Sequence, residues 1–517
     1  MAMLPAVLLL LAASGPPQTS SLTTVLQARA TALQHLGVHE ASTLEVVGTL
    51  TGAALRGEFH TWHSPAGERY DQTTGVRSES TIRVRDHQYV VNESGNVREL
   101  HGLLLARQRT ADFIDTQAFV SQPQYDRFAG PERLPDGRQA YTIVVSPPNG
   151  QPETIDIDAA TSMIDRISYD NDDGLATEDY YGYRVFDGVL LPTREVDSNG
   201  DHAYDVVRDT VDVRVDKTID RSTFAVPEPA VVATDVPVTV ALTEHLGHYY
   251  VAVEIAGHKY NFLLDSGAQA VVLDPRVAAQ LGLRSEGQLE VSGAQRTGGL
   301  GLAALDDIRI GGVAVPVRVV TVLDLRNVTP AYTADGILGY PFFAEAEVRL
   351  DAAASTMTFA KPGRLKADGT AFHVDNDREL VELHASIDGT DGRFVIDTGN
   401  TNELLVFAPF ATTHPGVVQT AGQRFANNFG VGGSARAVST VVNELDLGPY
   451  RLFNRNAAVM LTSQGAFADR FDAGNIGMGI LRNFIVTFDL ADATLYARPG
   501  PHFDDGRYRG QGQPIFP

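Results

Sequence analysis

Apolar residues recur at helical spacing over residues 21–37, where Leu22, Val25, Leu26, Leu33 and Leu36 share one face. Arg29 interrupts that face. The spacing predicts one amphipathic helix. From 43 to 227 the period changes to two. Ser80-Thr81-Ile82-Arg83-Val84-Arg85 and Ala140-Tyr141-Thr142-Ile143-Val144-Val145 read as short strands. Asn149-Gly150, Asp173-Gly174, Asp187-Gly188 and Asn199-Gly200 read as turns between such strands. The pattern predicts an antiparallel β domain with an N-terminal helix over 21–227. Val226-Pro227-Glu228-Pro229 reads as a linker.

Beyond the linker the pattern repeats itself. Val251-Ala252-Val253-Glu254-Ile255, a turn at Gly257-His258 and an apolar run from Tyr260 lead to Asp265. Leu380-Val381-Glu382-Leu383-His384, a turn at Asp388-Gly389-Thr390 and a run from Arg393 lead to Asp397. Both are hairpins whose second strand ends in an aspartate. Downstream, Gly336-Ile337-Leu338-Gly339-Tyr340-Pro341-Phe342-Phe343 aligns without gaps on Gly474-Asn475-Ile476-Gly477-Met478-Gly479-Ile480-Leu481. The match continues from Val348-Arg349-Leu350-Asp351 onto Val486-Thr487-Phe488-Asp489. Each copy closes on an apolar strand, Thr356-Met357-Thr358-Phe359 and Ala493-Thr494-Leu495-Tyr496. Two β lobes are expected, over 236–362 and 371–500. Two copies are too few for a solenoid and fit one pseudo-twofold unit. The expected fold is therefore mainly β.

Composition narrows the setting. The 517 residues carry a formal charge of -23, which argues against sequence-independent nucleic-acid or anionic-membrane binding. There is no cysteine, hence no disulfide, thiolate nucleophile or cysteine metal site. The run Val7-Leu8-Leu9-Leu10-Leu11-Ala12-Ala13 followed by Ser14-Gly15-Pro16-Pro17 has the outline of a secretory signal, although no Lys or Arg precedes it. A signal peptide over 1–20 is expected, with a periplasmic or secreted product. The run is too short to span a bilayer, and no other segment is long and apolar enough. No transmembrane span is expected in the mature chain.

An aspartate ending a buried strand is costly unless it is paired or hydrogen-bonded. A pseudo-twofold would set Asp265 against Asp397. Two adjacent carboxyls cannot both ionise cheaply, so they share a proton and can activate one water against an amide carbonyl. Gly267 and Gly399 are expected to permit a tight turn that brings an amide N–H to each carboxylate. Ser266 and Thr398 supply hydroxyls that can bond across the interface. This chemistry requires no cofactor and no metal. Asp-Ser-Gly alone is a common turn tripeptide. Two copies with matched strands before and matched glycine motifs after are a far more specific signal.

Leu263-Leu264-Asp265-Ser266-Gly267 with Ile337-Leu338-Gly339, and Val395-Ile396-Asp397-Thr398-Gly399, resemble the retropepsin-like aspartic peptidase family in its tandem, two-lobe bacterial form. The resemblance covers about half of the chain. It implies a closed β fold per lobe, a peptide or protein substrate in a cleft between lobes, and flaps over it. The flaps would lie near Val291-Ser292-Gly293-Ala294-Gln295 and Phe429-Gly430-Val431-Gly432-Gly433. Neither carries a tyrosine, so a pepsin-like flap role is not implied. Asn475 departs from the apolar pattern at its position. With both aspartates in one chain, a monomer is expected. The run Tyr180-Tyr181-Gly182-Tyr183-Arg184-Val185-Phe186-Asp187-Gly188-Val189-Leu190-Leu191-Pro192 resembles late strands of lipoprotein-carrier-type half-barrels. That resemblance implies an apolar interior able to take an acyl chain or apolar peptide. The reading of another class is a non-catalytic peptide- or lipid-binding envelope protein.

Other motifs carry less. Tyr169-Asp170-Asn171-Asp172-Asp173-Gly174 has tyrosine at the first and twelfth calcium-loop positions and reads as an exposed acidic turn. His60 and His63 point to opposite faces of a strand. Gly298-Gly299-Leu300-Gly301 lacks the Lys-Ser/Thr of a phosphate loop. Asn92-Glu93-Ser94 and Asn327-Val328-Thr329 are glycosylation sequons by pattern alone.

Overall fold

The computed structural model describes residues 21–507 except 135, 173, 327, 329–331 and 418–423. The expected signal peptide over 1–20 lies outside the described residues, as do Asp173 and Asn327 of the turn and sequon singled out above.

The predicted helix forms over Leu22–His35, with the Ser21 hydroxyl accepting from the Thr24 N–H. Its buried face is narrower than the spacing implied. Val25 and Leu26 are buried, but Leu36 is 46 % exposed. Arg29 does not break the face. It is 3 % exposed, with Nε donating to Gln117 Oε1 at 2.8 Å and Nη1 to the Ser162 carbonyl at 2.8 Å. Burial pushes its guanidinium down to about 10. These two bonds lower the cost of burying the charge.

The strands that follow make a 13-stranded antiparallel sheet running from Val97–Glu99 at one edge to Asp126–Arg133 at the other. The alternation does not run unbroken. Helices Leu103–Asp115 and Ala118–Ser121 interrupt it, and the sequence reading had no helix there. Val25, Leu26, Ile114 and Phe119 from these helices pack onto Ile143, Val145, Ile155, Ile157, Ile164 and Ile167. The interior is not wholly apolar, against the expectation. Tyr180 packs on this same cluster, and its hydroxyl donates to Glu178 at 2.7 Å. Glu195 and Asp197 on the next strand bond Arg208.

The two repeat copies interlock. Glu347–Asp351 of the first pairs antiparallel with Phe484–Asp489 of the second, with Arg349 opposite Thr487. Those two residues are equivalents in the repeat, so the pseudo-twofold axis passes between them. Outward from this seam, Thr356–Ala360 and Val238–His245 lie on one side, and Thr494–Pro499 and Thr370–His373 on the other. Phe342, Phe343, Val348 and Phe359 of the first copy share one core with Val486 and Phe488 of the second. The Phe343 and Phe488 rings are 4.8 Å apart. Burying each phenylalanine contributes about 1.5–3 kcal/mol, so the seam joins the copies by core as well as by backbone.

The linker and the stretch between copies both dock. The Ala230 N–H donates to the Gly95 carbonyl at 2.8 Å, and Val232 is buried in the shared core. Between copies, Asp377 accepts from the N–H groups of His101, Gly102 and Leu104 at 2.8, 2.6 and 3.2 Å. Arg378 is buried among Glu382, Asp469 and Asp472 and reaches Asp172 at 3.0 Å. The acidic turn set aside as a calcium loop is thus an ion-pair partner of the second copy. Arg470 also reaches Asp170, at 2.6 Å.

Candidate active site

Strand His258–Leu264 ends at Asp265, and strand Thr390–Asp397 ends at Asp397. Each is central in its copy. The first pairs with His248–Ile255 and, in parallel, with Gly336–Leu338. The second pairs with Glu382–Ile387 and, in parallel, with Gly474–Gly477. Apolar side chains at Phe262, Leu264, Phe394 and Ile396 anchor these strands in the shared core. The chain must then turn away, and the aspartates are left at the strand ends.

A reciprocal clamp joins the two ends. The Ser266 N–H donates to Thr398 Oγ1 at 2.9 Å, and the Thr398 N–H donates to Ser266 Oγ at 3.1 Å. Ser266 Oγ donates to the Ile396 carbonyl at 2.6 Å, and Thr398 Oγ1 to the Leu264 carbonyl at 3.0 Å. All four bonds cross between copies and all are buried. Each hydroxyl both accepts and donates, which only Ser and Thr can do in this geometry.

The glycines donate to the aspartates as expected, but they are required for a second reason that is not a left-handed turn. Neither adopts a left-handed φ. A Cβ on Gly267 would stand 2.6 Å from Asp397 Cγ, and one on Gly399 would overlap the Asp265 carboxyl. Each glycine is needed because the opposite carboxyl lies against its Cα. Each also donates its N–H to the neighbouring aspartate, at 3.0 Å in both cases.

The carboxyls of Asp265 and Asp397 lie together at the clamp, each against the glycine of the other's loop. Burial, then the charge of Asp397, drives the Asp265 carboxyl well above the usual range. Burial raises Asp397 too. The Gly399 N–H, the bond from Asp265, the Asn400 N–H and the Asn475 amide oppose that rise. Such a pair titrates jointly in two steps.

The aspartates lie in a cleft of about 1140 Å³. The first predicted flap is the hairpin of Glu286–Ser292 and Arg296–Ala304, and the second that of Phe425–Gly430 and Gly433–Leu447. The tips meet. The Gln295 N–H donates to the Val431 carbonyl at 3.3 Å, and Gln295 Nε2 to the Ser434 carbonyl at 2.9 Å. The sequence reading missed two contributions. Arg77, Asn92, Glu93 and Ser94 of the N-terminal sheet form part of the cleft wall. The first flap also rests on that sheet. Leu55 packs with Leu289, Leu300 and Leu302, and Asn199 Nδ2 donates to Glu290 at 2.6 Å. Nothing local in the sequence marks this contact, since more than 200 residues separate Leu55 from the flap.

A family model described as "Aspartyl protease" matches residues 251–342, a span that holds Asp265 and Ile337-Leu338-Gly339. The match supports a peptidase-like role for that part of the chain. No curated protein matches the chain. Among solved structures, the chain is similar to a DUF1329 family protein from Desulfovibrio piger, at 15 % identity and a TM-score of 0.29, over 40 % of this chain and 97 % of that one. A putative outer membrane lipoprotein-sorting protein domain from Vibrio parahaemolyticus is similar at 10 % identity and 0.28, over 39 % and 95 %. A LolA superfamily protein from Nitrosomonas europaea is similar at 12 % and 0.28, over 38 % and 97 %. Among the described residues no helix is long and apolar enough to cross a membrane.

Proposed function

We propose that the chain is an exported aspartic endopeptidase, periplasmic or secreted, that hydrolyses a peptide or protein bound between its two lobes. Asp265 and Asp397 are the catalytic pair. Ser266, Thr398, Gly267 and Gly399 hold them together. The observation that carries this reading is the four-bond clamp, which holds together two strand ends whose aspartates are 132 residues apart in the chain.

The chemistry follows from a pair with one proton. The ionised carboxyl takes a proton from a water held between the two, and that water attacks the scissile carbonyl. The protonated carboxyl hydrogen-bonds the carbonyl oxygen as it becomes an oxyanion. The proton taken from water then goes to the leaving nitrogen, and the C–N bond breaks. Both carboxyls belong to one chain, so a monomer suffices.

A peptide-library digest over acidic and neutral pH tests this. Asp265→Asn and Asp397→Asn should each lower hydrolysis by about 10²–10⁴-fold, the range of acid–base contributions. A pepstatin-type inhibitor serves as control. Full hydrolysis by either variant overturns the mechanism. Peptide binding with no cleavage at any pH would instead favour a non-catalytic peptide- or lipid-binding envelope protein.

A further inference from the structure

The two halves of the site share their backbone plan, but one buried side chain that donates to an aspartate has no counterpart. In the first copy Leu263 pairs with Ile337, and in the second Val395 pairs with Asn475, so Ile337 and Asn475 are equivalents. Backbone N–H groups act on both aspartates, from Gly267 and Ala268 on Asp265 and from Gly399 and Asn400 on Asp397. The side-chain amide has no counterpart. Asn475 Nδ2 donates to Asp397 Oδ2 at 2.6 Å, whereas Ile337 is apolar and buried. Asn475 is 7 % exposed, and its Oδ1 has no hydrogen-bond partner among the described residues. Its amide is therefore fixed at the dyad end. A charge-assisted bond of this length favours the ionised carboxyl over the neutral one.

We propose that Asn475 is a positioning residue that makes the dyad unequal, holding Asp397 as the ionised member and leaving the shared proton on Asp265. The directional consequence rests on the peptidase reading: Asp397 receives the proton of water, and Asp265 hydrogen-bonds the substrate carbonyl.

Asn475 stabilises Asp397 in both the singly and the doubly ionised dyad. Its loss therefore moves the first proton release and leaves the second nearly in place. Other titratable groups line the cleft: His245, His248, Tyr250, Tyr332, Glu403 and Arg482, with Arg77, Glu93, Glu290 and Glu379 further out along its wall and first flap. Burial lowers His248, the one beside Gly399. All of these groups are common to the wild type and the variants, so differences between proteins isolate Asn475.

The test follows the aspartate carboxyl carbons by NMR across a pH titration of the full chain, alongside kcat and KM. In Asn475→Leu the lower dyad step should rise by about one pH unit, as loss of one hydrogen bond to a charged group implies. The upper step should stay. The acid limb of the rate profile should move with the lower step, with kcat falling and KM little changed. Asn475→Asp keeps the shape and donates only while protonated, so its alkaline limb should move down instead. An unmoved lower step in Asn475→Leu, or equal movement of both steps, overturns the proposal. A shifted lower step in a chain that cleaves no peptide upholds the assignment of the proton and removes the peptidase reading.

Discussion

At the residue scale the site is governed by contact distance. Gly267 and Gly399 each lie against a carboxyl from the other copy, with less room than one methyl needs. Gly267→Ala or Gly399→Ala should lower kcat/KM by more than about 100-fold, since a displacement near 1 Å at the reacting groups costs that much. The free energy of unfolding should fall by about 1–3 kcal/mol, the usual effect of overpacking. Wild-type kinetics in either variant would show that the two ends are not held this close. The sequence made both glycines visible, because Asp-Ser/Thr-Gly is written twice. It did not carry their reason. A turn requirement is local, but the carboxyl that excludes a Cβ comes from the other copy. Asn475 has the same history. Read along the chain it is a flaw in an apolar motif. Seen against Asp397 it is a side-chain donor that the first half of the dyad lacks.

At the element scale, hairpins were legible and the helices after residue 100 were not. Strand His258–Leu264 and strand Thr390–Asp397 announce themselves by apolar runs between turn residues. Helix Leu103–Asp115 begins at Gly102, which offers no capping side chain. The N–H groups of His101 and Gly102 just before it and of Leu104 in its first turn donate instead to Asp377, from the segment between the copies. The helix start signal is thus written 275 residues away from the helix. Asp377→Ala should cost about 1–2 kcal/mol, as loss of a capping carboxylate does. Amide exchange should speed up at residues 101–106 before it does elsewhere in the N-terminal sheet. Unchanged protection there would mean that packing of Ile114 and Phe119, not the cap, holds this helix. The first flap belongs to the same class of surprise. Its hairpin was expected, but its bed of Leu55 and Asn199 belongs to a different sheet.

At the scale of the whole molecule, the N-terminal sheet and the first repeat copy meet at a buried acid. Glu345 ends the helix Tyr340–Glu345, is 0 % exposed, and has no hydrogen-bond partner for either carboxyl oxygen among the described residues. Its own carbonyl accepts from the Val232 N–H of the linker at 2.9 Å. Burial drives its carboxyl well above the usual range, and the charge of Glu93 on the N-terminal sheet adds to that. The folded chain therefore keeps Glu345 neutral where the unfolded chain ionises it. Its contribution to stability is fully present below the ordinary glutamate value near 4.3. That contribution is lost as pH rises from there towards the higher folded value. Burial pushes Glu153 up to about 8 and, with the charge of Asp472 added, Glu382 up to about 8, so both act in the same direction. The protein should accordingly be more stable near pH 5 than near pH 8. Glu345→Gln keeps the shape without the titration. Urea unfolding of both proteins at several pH values should give similar stabilities near pH 4. Near pH 7 the variant should gain on the wild type by about 1–3 kcal/mol, since each unit of pKa difference is worth about 1.4 kcal/mol at most. Parallel stability curves across that range would mean that Glu345 reaches solvent in the folded protein. A gain that starts near pH 4.3 and keeps growing beyond pH 7 would place its folded titration above neutrality, so that the junction between sheet and lobe carries a neutral acid at neutral pH.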